Sequence, residues 1–477
     1  MYQNLDRRNF LKSFGLGMAS LALGDFCSRA RLAAATKSRR QPNILFLFTD
    51  DQRFSALGAL DKEEVKTPNM DKIMRNGLTF TRAHIMGSMS GAVCMPSRAM
   101  LMTGRTLFHL QNYGSSIPPD QILLPELLRS KGYQTFATGK WHNGRSAFAR
   151  AFTSGDKIFF GGMANHLKVP VYDFDPTGKY PKSKAYIGEK FSSILFSDAI
   201  IKFLQEYKSD SPFFAYVSYT APHDPRMAPR EYADMYPPDK IKLPKNFKPE
   251  HPFDNGELKI RDEELAPWPR TPEIIREHIA AYYAMITHLD AQIGRVMKTL
   301  EQTGRADNTI IIFAGDNGLA VGQHGLLGKQ NLYEHSVRVP LIMAGPDIPQ
   351  NKNTEALCYL NDIYPTVCDI LDLEIPESVE SISLLPVIQN KKKSVRDNLF
   401  YVYKHVQRGV RGDRWKLIKY HVQEKYTTQL FDLNKDPWEL NNLANEPAQE
   451  SRLKKMNKLL QQWMKKLDDP DLADFSV

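Results

Sequence analysis

Short, unbroken apolar runs alternate along this chain with longer stretches of helical period. Asn43-Ile-Leu-Phe-Leu-Phe-Thr49 is apolar throughout, the pattern of a central parallel strand buried on both faces, and it stops at Asp50-Asp51. Thr67-Pro68 opens a helix with apolar positions Met70, Ile73 and Met74, ended near Gly77. Tyr133 to Thr138 predicts a second strand, running into Gly139-Lys140-Trp141-His142, and Pro212 to Tyr219 a third, running into Ala221-Pro222-His223-Asp224. Thr271-Pro272 starts a long helix in which Ile279, Tyr282, Ile286, Leu289, Ile293, Val296 and Leu300 keep helical spacing as far as Gly304. Thr309 to Ala314 is a fourth strand, ending at Gly315-Asp316-Asn317-Gly318, and Val339 to Ala344 a fifth, closed by Gly345-Pro346.

Strands alternating with helices predict an α/β fold built on a large, mostly parallel, doubly wound sheet flanked by helices. In such sheets the ligand crevice lies beyond the carboxyl ends of the strands, so the polar groups that end four of the five strands should converge. Segments 143–190 and 224–270 break the rhythm and are rich in Pro, Gly, Tyr and charge; they read as long surface loops over the crevice, where specificity sits. Lys391-Lys392-Lys393 marks a boundary after Pro386. Beyond it Asn398 to Tyr403, Arg414 to Tyr420 and Gln429 to Asp432 read as short antiparallel strands, and 447–467 as a last helix. The chain thus divides into a main domain over 40–388 and a smaller C-terminal α+β subdomain over 394–477.

Residues 1–35 stand apart. Arg7-Arg8-Asn9-Phe10-Leu11-Lys12, an apolar run from Phe14 to Leu23, and Ala33-Ala34-Ala35 read as a twin-arginine export signal, which predicts a periplasmic or extracellular protein. The run is too short for a transmembrane helix, and no later stretch is apolar enough to span a bilayer. Asp25-Phe26 before Cys27 argues against a lipoprotein. With 42% hydrophobic and 25% charged residues the rest has the make-up of a globular protein rather than a disordered one. The leader holds five basic and two acidic residues, so the net charge of +9 becomes +6 without it. That balance suits polyanionic substrates and equally an ordinary solvated surface. Cys94, Cys358 and Cys368 are too few and of odd number for a disulfide framework, and no Cys/His zinc spacing appears.

One of those cysteines sits in a chemically loaded stretch. Pro96 suits the first position of a helix that Gly104 can end, which places Cys94 at the helix entrance, where free N–H groups favour anions. Arg98, one turn in, adds a fork suited to an oxyanion. A small buried cysteine that merely precedes a helix fits the same facts. Cys94-Met95-Pro96-Ser97-Arg98, followed by Leu101 and Thr103-Gly104-Arg105, resembles the sequence read by the formylglycine-generating machinery of the type I sulfatases of the alkaline phosphatase superfamily. The resemblance implies a maturation enzyme as partner, oxidation of Cys94 to the aldehyde formylglycine, and the hydrate of that aldehyde as nucleophile.

Asp50, Asp51, Asp316 and Asn317 offer oxygen donors only, which selects a hard cation, Ca²⁺ ahead of Mg²⁺ because the site looks all-protein. Taken singly, Asp-Asp after a strand also caps helices and Asp-Asn-Gly also makes turns. Lys140, His142, His223 and Lys329 complete the set. Gly139 to His142, Thr220 to Asp224, Gly315 to Gly318 with His324-Gly325-Leu326 and Lys329, Thr67-Pro68-Asn69, Arg338 to Ile342 and Asp432 to Leu440 each resemble a sulfatase block, so the similarity covers about 40–445. Many relatives carry Leu where this chain has Asn143, beside the site, which points to an altered substrate pocket rather than altered chemistry.

The mechanism implied by the resemblance has two halves. One hydroxyl of the hydrated aldehyde attacks sulfur while His223 protonates the departing alcohol; His142 then deprotonates the other hydroxyl, which releases sulfate and restores the aldehyde. Lys140 and Lys329 hold sulfate oxygens and Arg98 steadies the nucleophile. The implied substrate is a sulfated carbohydrate, with His324, His405 and Arg408 as further candidate contacts; choline or aryl sulfates, a phosphodiester or phosphonate ester, and a non-catalytic polyanion-binding role are the alternatives. The additional Asp/His ligands of two-metal phosphatases are not found, and nothing points to nucleic acid.

Overall fold

A computed structural model describes residues 40–476, and the predicted export signal lies outside them. From Pro42 on, the described chain forms one compact unit. Its centre is an eight-stranded sheet in the order Lys352–Thr354, Gly77–Phe80, Leu341–Ala344, Thr309–Gly315, Asn43–Thr49, Phe213–Ser218, Gln134–Lys140, Ser154–Phe159. Asn43–Thr49 lies parallel between Thr309–Gly315 and Phe213–Ser218, with Thr49 opposite Gly315, so the turns at Asp50 and Asp316 leave the sheet side by side.

The unbroken apolar run has the reason the pattern suggested. Ile44, Phe46 and Phe48 face a core shared with Ala99, Met100 and Leu101, whereas Leu45 and Leu47 face the opposite core, filled by Ile286, Leu289 and Ile293 of the Pro272–Gln302 helix. Pro68–Arg75 and Ser192–Glu206 pack against the same long helix. Helix Cys94–Thr103 lies on the first face.

Leu341–Ala344, the predicted fifth strand, is the one reversed strand of the eight, pairing antiparallel with both neighbours. The chain leaves Thr309–Gly315 at the carboxyl end and re-enters at that same end, because 316–340 contain only the short helix Glu334–Val337 and no crossover helix. Three strands escape the apolar pattern: Gly77–Phe80, Lys352–Thr354 and Ser154–Phe159. The last is a partly exposed, polar edge strand inside the 143–190 segment, which therefore is not all loop. Segment 224–270 is irregular apart from short helical turns.

The C-terminal part is a five-stranded sheet, Lys425–Asp432, Trp415–Val422, Gln407–Arg411, Leu399–Tyr403 and Gly87–Ser88. The fifth strand comes from just ahead of Cys94 and runs parallel to Leu399–Tyr403. Gln407–Arg411 was invisible to hydropathy because a buried strand here carries Gln407, Arg408 and Arg411. Helix Glu450–Lys466 packs through Met456, Leu460 and Met464. Cys94, Cys358 and Cys368 are free and buried, and no helix among the described residues is long and apolar enough to cross a membrane.

Candidate active site

The four polar strand ends meet. Asp51 N–H donates to Asp316 Oδ1 at 3.0 Å, Lys140 Nζ to Asp50 Oδ2 at 2.6 Å, and Lys329 Nζ and Asn317 Nδ2 to Asp51 Oδ1 at 2.7 Å each. His223 Nε2 lies 3.6 Å from Asp51 Oδ2. The three carboxylates are packed together with Lys140, Lys329 and Arg98, all six at 4% exposure or less. Two close sets of donor atoms result, Asp50, Asp51 and His223, and Asp50, Cys94 and Asp316, each within 4.8 Å.

Helix Cys94–Thr103 brings the cysteine to this cluster. It begins at Cys94 itself, so Pro96 is its third residue rather than its first; Gly104, at φ 67°, closes it with an N–H to Met100 O. Ser97 Oγ donates to Asp316 O at 2.6 Å and pins the helix to the turn after Thr309–Gly315. Arg98 Nε donates to Asp316 Oδ2 at 2.9 Å, and its Nη1 to Ser218 Oγ at 2.6 Å and Lys140 O at 3.1 Å. Cys94 Sγ then accepts from Lys140 Nζ at 3.3 Å and sits 3.4 Å from His142 Nδ1.

The backbone is bent to reach these positions. Asp51 at φ 67° and His142 at φ 74° both hold left-handed conformations, at a cost of roughly 1–2 kcal/mol each. Gly139, at φ 88°, lets the Lys140 strand pass so close to its neighbour that a Cβ would stand 1.9 Å from Ser218 O. Lys329 rides on a loop fixed from below: the buried Glu263 carboxylate accepts from Leu327 N–H and Gly328 N–H and from Arg270.

Electrostatics separate the two histidines. Burial alone would lower the His223 imidazole, but the Asp51 carboxylate outweighs it and lifts the group to about 9. Burial and the adjacent Lys140 and Arg98 charges push His142 down to about 2, so it stays neutral. Burial would raise Asp51; His223, Lys329 and Lys140 hold it at about 2. Asp316 goes the other way, to about 6, through burial and the Asp50 charge. Against burial, Asp50 lifts Lys140 and Asp51 lifts Lys329 above the ordinary lysine range.

Comparison with known proteins matches the sulfatase family to residues 42–373, and the C-terminal family of N-sulphoglucosamine sulphohydrolase to 322–466. The chain belongs to the sulfatase family. It is a sulfuric ester hydrolase. It is similar to an ulvan-active sulfatase of Formosa agariphila, 28% identical over 90% of this chain and 82% of the relative. An N-acetylglucosamine-6-O-sulfatase of Bacteroides thetaiotaomicron is 27% identical over 91% of this chain and 88% of its own. Among solved structures, one in complex with its substrate D-glucosamine-2-N,6-O-disulfate has the same fold, at TM-score 0.75 and 24% identity over 90% of this chain and 99% of that one.

In this sulfatase Asp50, Asp51, Cys94, Arg98, Lys140, His142, His223, Asp316, Asn317 and Lys329 are brought together, and three other candidates, Asn143, His324 and Arg408, are buried with their polar groups engaged. Asn143 is fully buried and donates through Nδ2 to Met95 O at 2.9 Å and Gly114 O at 2.8 Å, so it braces the cysteine helix instead of shaping a pocket. His324 is buried, hydrogen-bonded to Asn246 and stacked on Tyr333 at 4.0 Å. Arg408 is buried with its guanidinium engaged by Asp469 and Asp471, which leaves no donor for a sugar. His405 is exposed but paired with Asp471 at 2.9 Å. The sequence offered no signal for Ser218, which holds Arg98, or for Glu263, which reaches the Lys329 loop only through the distant Leu327 and Gly328 N–H groups.

Asn143→Ala strips two buried carbonyls of their donor, so unfolding in urea is expected to show a stability loss of about 1–3 kcal/mol. KM for any sulfate ester should stay unchanged; a raised KM without a stability loss would return Asn143 to the pocket.

Proposed function

We propose that this sulfatase hydrolyses sulfate esters on a sulfated carbohydrate, with Cys94 matured to formylglycine and one Ca²⁺ held by Asp50, Asp51, Asp316 and Asn317. The observation that carries this reading is the setting of Cys94 Sγ between Lys140 Nζ and His142 Nδ1, at the edge of the carboxylate cluster. Sγ marks the place of the hydrate oxygens of the matured residue.

The donor set fits a hard cation. Asp50 Oδ1 and Asn317 Oδ1 are buried polar oxygens with no hydrogen-bond partner, which is costly unless something else engages them. Oxygen donors from three carboxylates and one amide favour Ca²⁺ over Mg²⁺, which keeps more of its water. A bound divalent ion supplies Lewis-acid charge that acidifies a hydroxyl and stabilises developing negative charge. Formylglycine, once hydrated, supplies two hydroxyls on one carbon, one to attack sulfur and one to let the sulfate go.

The chain's own groups do the rest. Lys140 and Lys329, held in their charged forms by Asp50 and Asp51, stand ready to bind sulfate oxygens. Arg98 fixes Asp316 and the start of the nucleophile helix. His142, next to position 94, is the base that takes a hydroxyl proton there. His223, charged at neutral pH, is the acid that gives its proton to the leaving alcohol. The names of the ulvan-active and N-acetylglucosamine-6-O-sulfatase relatives support a sulfated glycan as substrate. A twin-arginine leader at Arg7-Arg8 would carry the folded, already matured enzyme to the periplasm or beyond.

Mass analysis of the tryptic peptide 83–98 from active enzyme is expected to show formylglycine at position 94. An unmodified thiol in fully active protein would contradict the maturation. His223→Ala is expected to slow hydrolysis of a sugar sulfate roughly 10²–10⁴-fold and to affect 4-nitrophenyl sulfate much less, because nitrophenolate leaves without a proton. Equal slowing of both substrates would remove His223 from the acid role.

A further inference from the structure

The surroundings of His223 determine more than its charge. Its carbonyl accepts from His166 Nε2 at 2.9 Å, and His166 Nδ1 in turn meets Ser192 Oγ at 2.6 Å, which pins the His223 backbone. Its Nδ1 faces two acceptors, Asp224 O at 2.9 Å and Asp224 Oδ1 at 3.2 Å, so Nδ1 carries a hydrogen. The ring's other nitrogen, Nε2, is thereby turned toward Asp51 and the cluster. The Asp224 carboxylate is gripped in turn by both arms of Arg261, Nη1 to Oδ2 at 2.5 Å and Nη2 to Oδ1 at 3.0 Å. Arg261 also bonds Asp262 Oδ1, and its side chain is 43% exposed where Asp224 and His223 are buried.

We propose that Asp224 and Arg261 are positioning residues for the acid: Arg261 fixes the Asp224 carboxylate, and Asp224 fixes His223 with Nδ1–H turned inward and Nε2–H turned to the leaving oxygen. This rests on the acid role of His223 given above. As the S–O bond breaks, the electron pair stays on the alcohol oxygen and the Nε2 proton moves to it. The ring then remains neutral, with its Nδ1–H still held by Asp224. A carboxylate next to an imidazolium stabilises the charged ring and fixes its orientation. The hydrogen bond to His223 and the Arg261 fork together keep that carboxylate ionised against burial, so it holds the hydrogen without taking the proton. The acid is therefore tied to the 224–270 segment, expected from sequence to cover the crevice, through two charge-assisted contacts.

A plain structural tie would look the same in a static picture, and the leaving group separates the two. Substituted phenyl sulfates, from 4-nitrophenyl to 4-methoxyphenyl, would be assayed with Asp224→Asn, Arg261→Gln and Arg261→Lys alongside His223→Ala, with melting temperatures as a check on folding. The expected result is that Asp224→Asn and Arg261→Gln leave 4-nitrophenyl sulfate near the native rate. Their loss in kcat grows as the phenol becomes a weaker acid, reaching about 10-fold or more at the far end of the series. Arg261→Lys, which keeps the charge but not the fork, falls between. Equal losses across the series, or none, overturn the positioning role. If His223→Ala shows the leaving-group trend and the other variants do not, only the positioning role fails. If His223→Ala itself shows no trend, the acid reading fails and the positioning role with it.

Discussion

Three carboxylates buried side by side are the constraint on which the rest of this structure depends. Asp50, Asp51 and Asp316 approach one another because parallel strands Asn43–Thr49 and Thr309–Gly315 end at the same register. Each buried charge costs several kcal/mol unless opposed. Arg98, Lys140 and Lys329 supply the opposition, each from a different element: the cysteine helix, a neighbouring strand end and a long loop. The architecture around the site can be read as the means of delivering those three cations. Gly139 lets the Lys140 strand pass close, Glu263 ties down the Lys329 loop, and Ser97, Asn143 and Gly104 set the helix that carries Arg98.

Bringing acids and bases into balance leaves the site neutral apart from His223, which Asp51 holds in its charged form. A bound divalent cation tips the balance to a net positive charge, which is what a sulfate ester and its departing oxygen require. The same cluster explains why the two histidines behave in opposite ways although both are buried. His142 sits on the Lys140 and Arg98 side and stays neutral, whereas His223 sits against Asp51 and stays charged. The proposed base and acid roles follow which part of one charge cluster each ring touches.

Much of this was legible in the sequence, for identifiable reasons. The central strands are buried on both faces, so they appear as unbroken apolar runs, and the polar residues that end each run are forced into the crevice. Asp50, Asp51, His223, Asp316 and Asn317 were found in this way. The edge strand Ser154–Phe159 was not, because a strand half open to water carries no such run. Gln407–Arg411 was missed for the opposite reason: it is buried but charged, and its arginines are satisfied by Asp469, Asp471 and Glu334 from remote parts of the chain. Asn143 and Arg408 were misjudged alike. Sequence shows a polar residue near the site but not whether its donors are already spent, and here a pair of backbone carbonyls and a pair of aspartates spend them.

Metal content with thermal stability tests the central claim most directly. Purified, active enzyme analysed by inductively coupled plasma mass spectrometry is predicted to hold one calcium per chain. Chelation should lower the melting temperature, and added Ca²⁺ should restore it, since the ion binds only the folded cluster. Asp50→Asn should weaken that restoration. Fully active protein with no bound divalent metal, and with a melting temperature indifferent to chelator and calcium, would contradict the account.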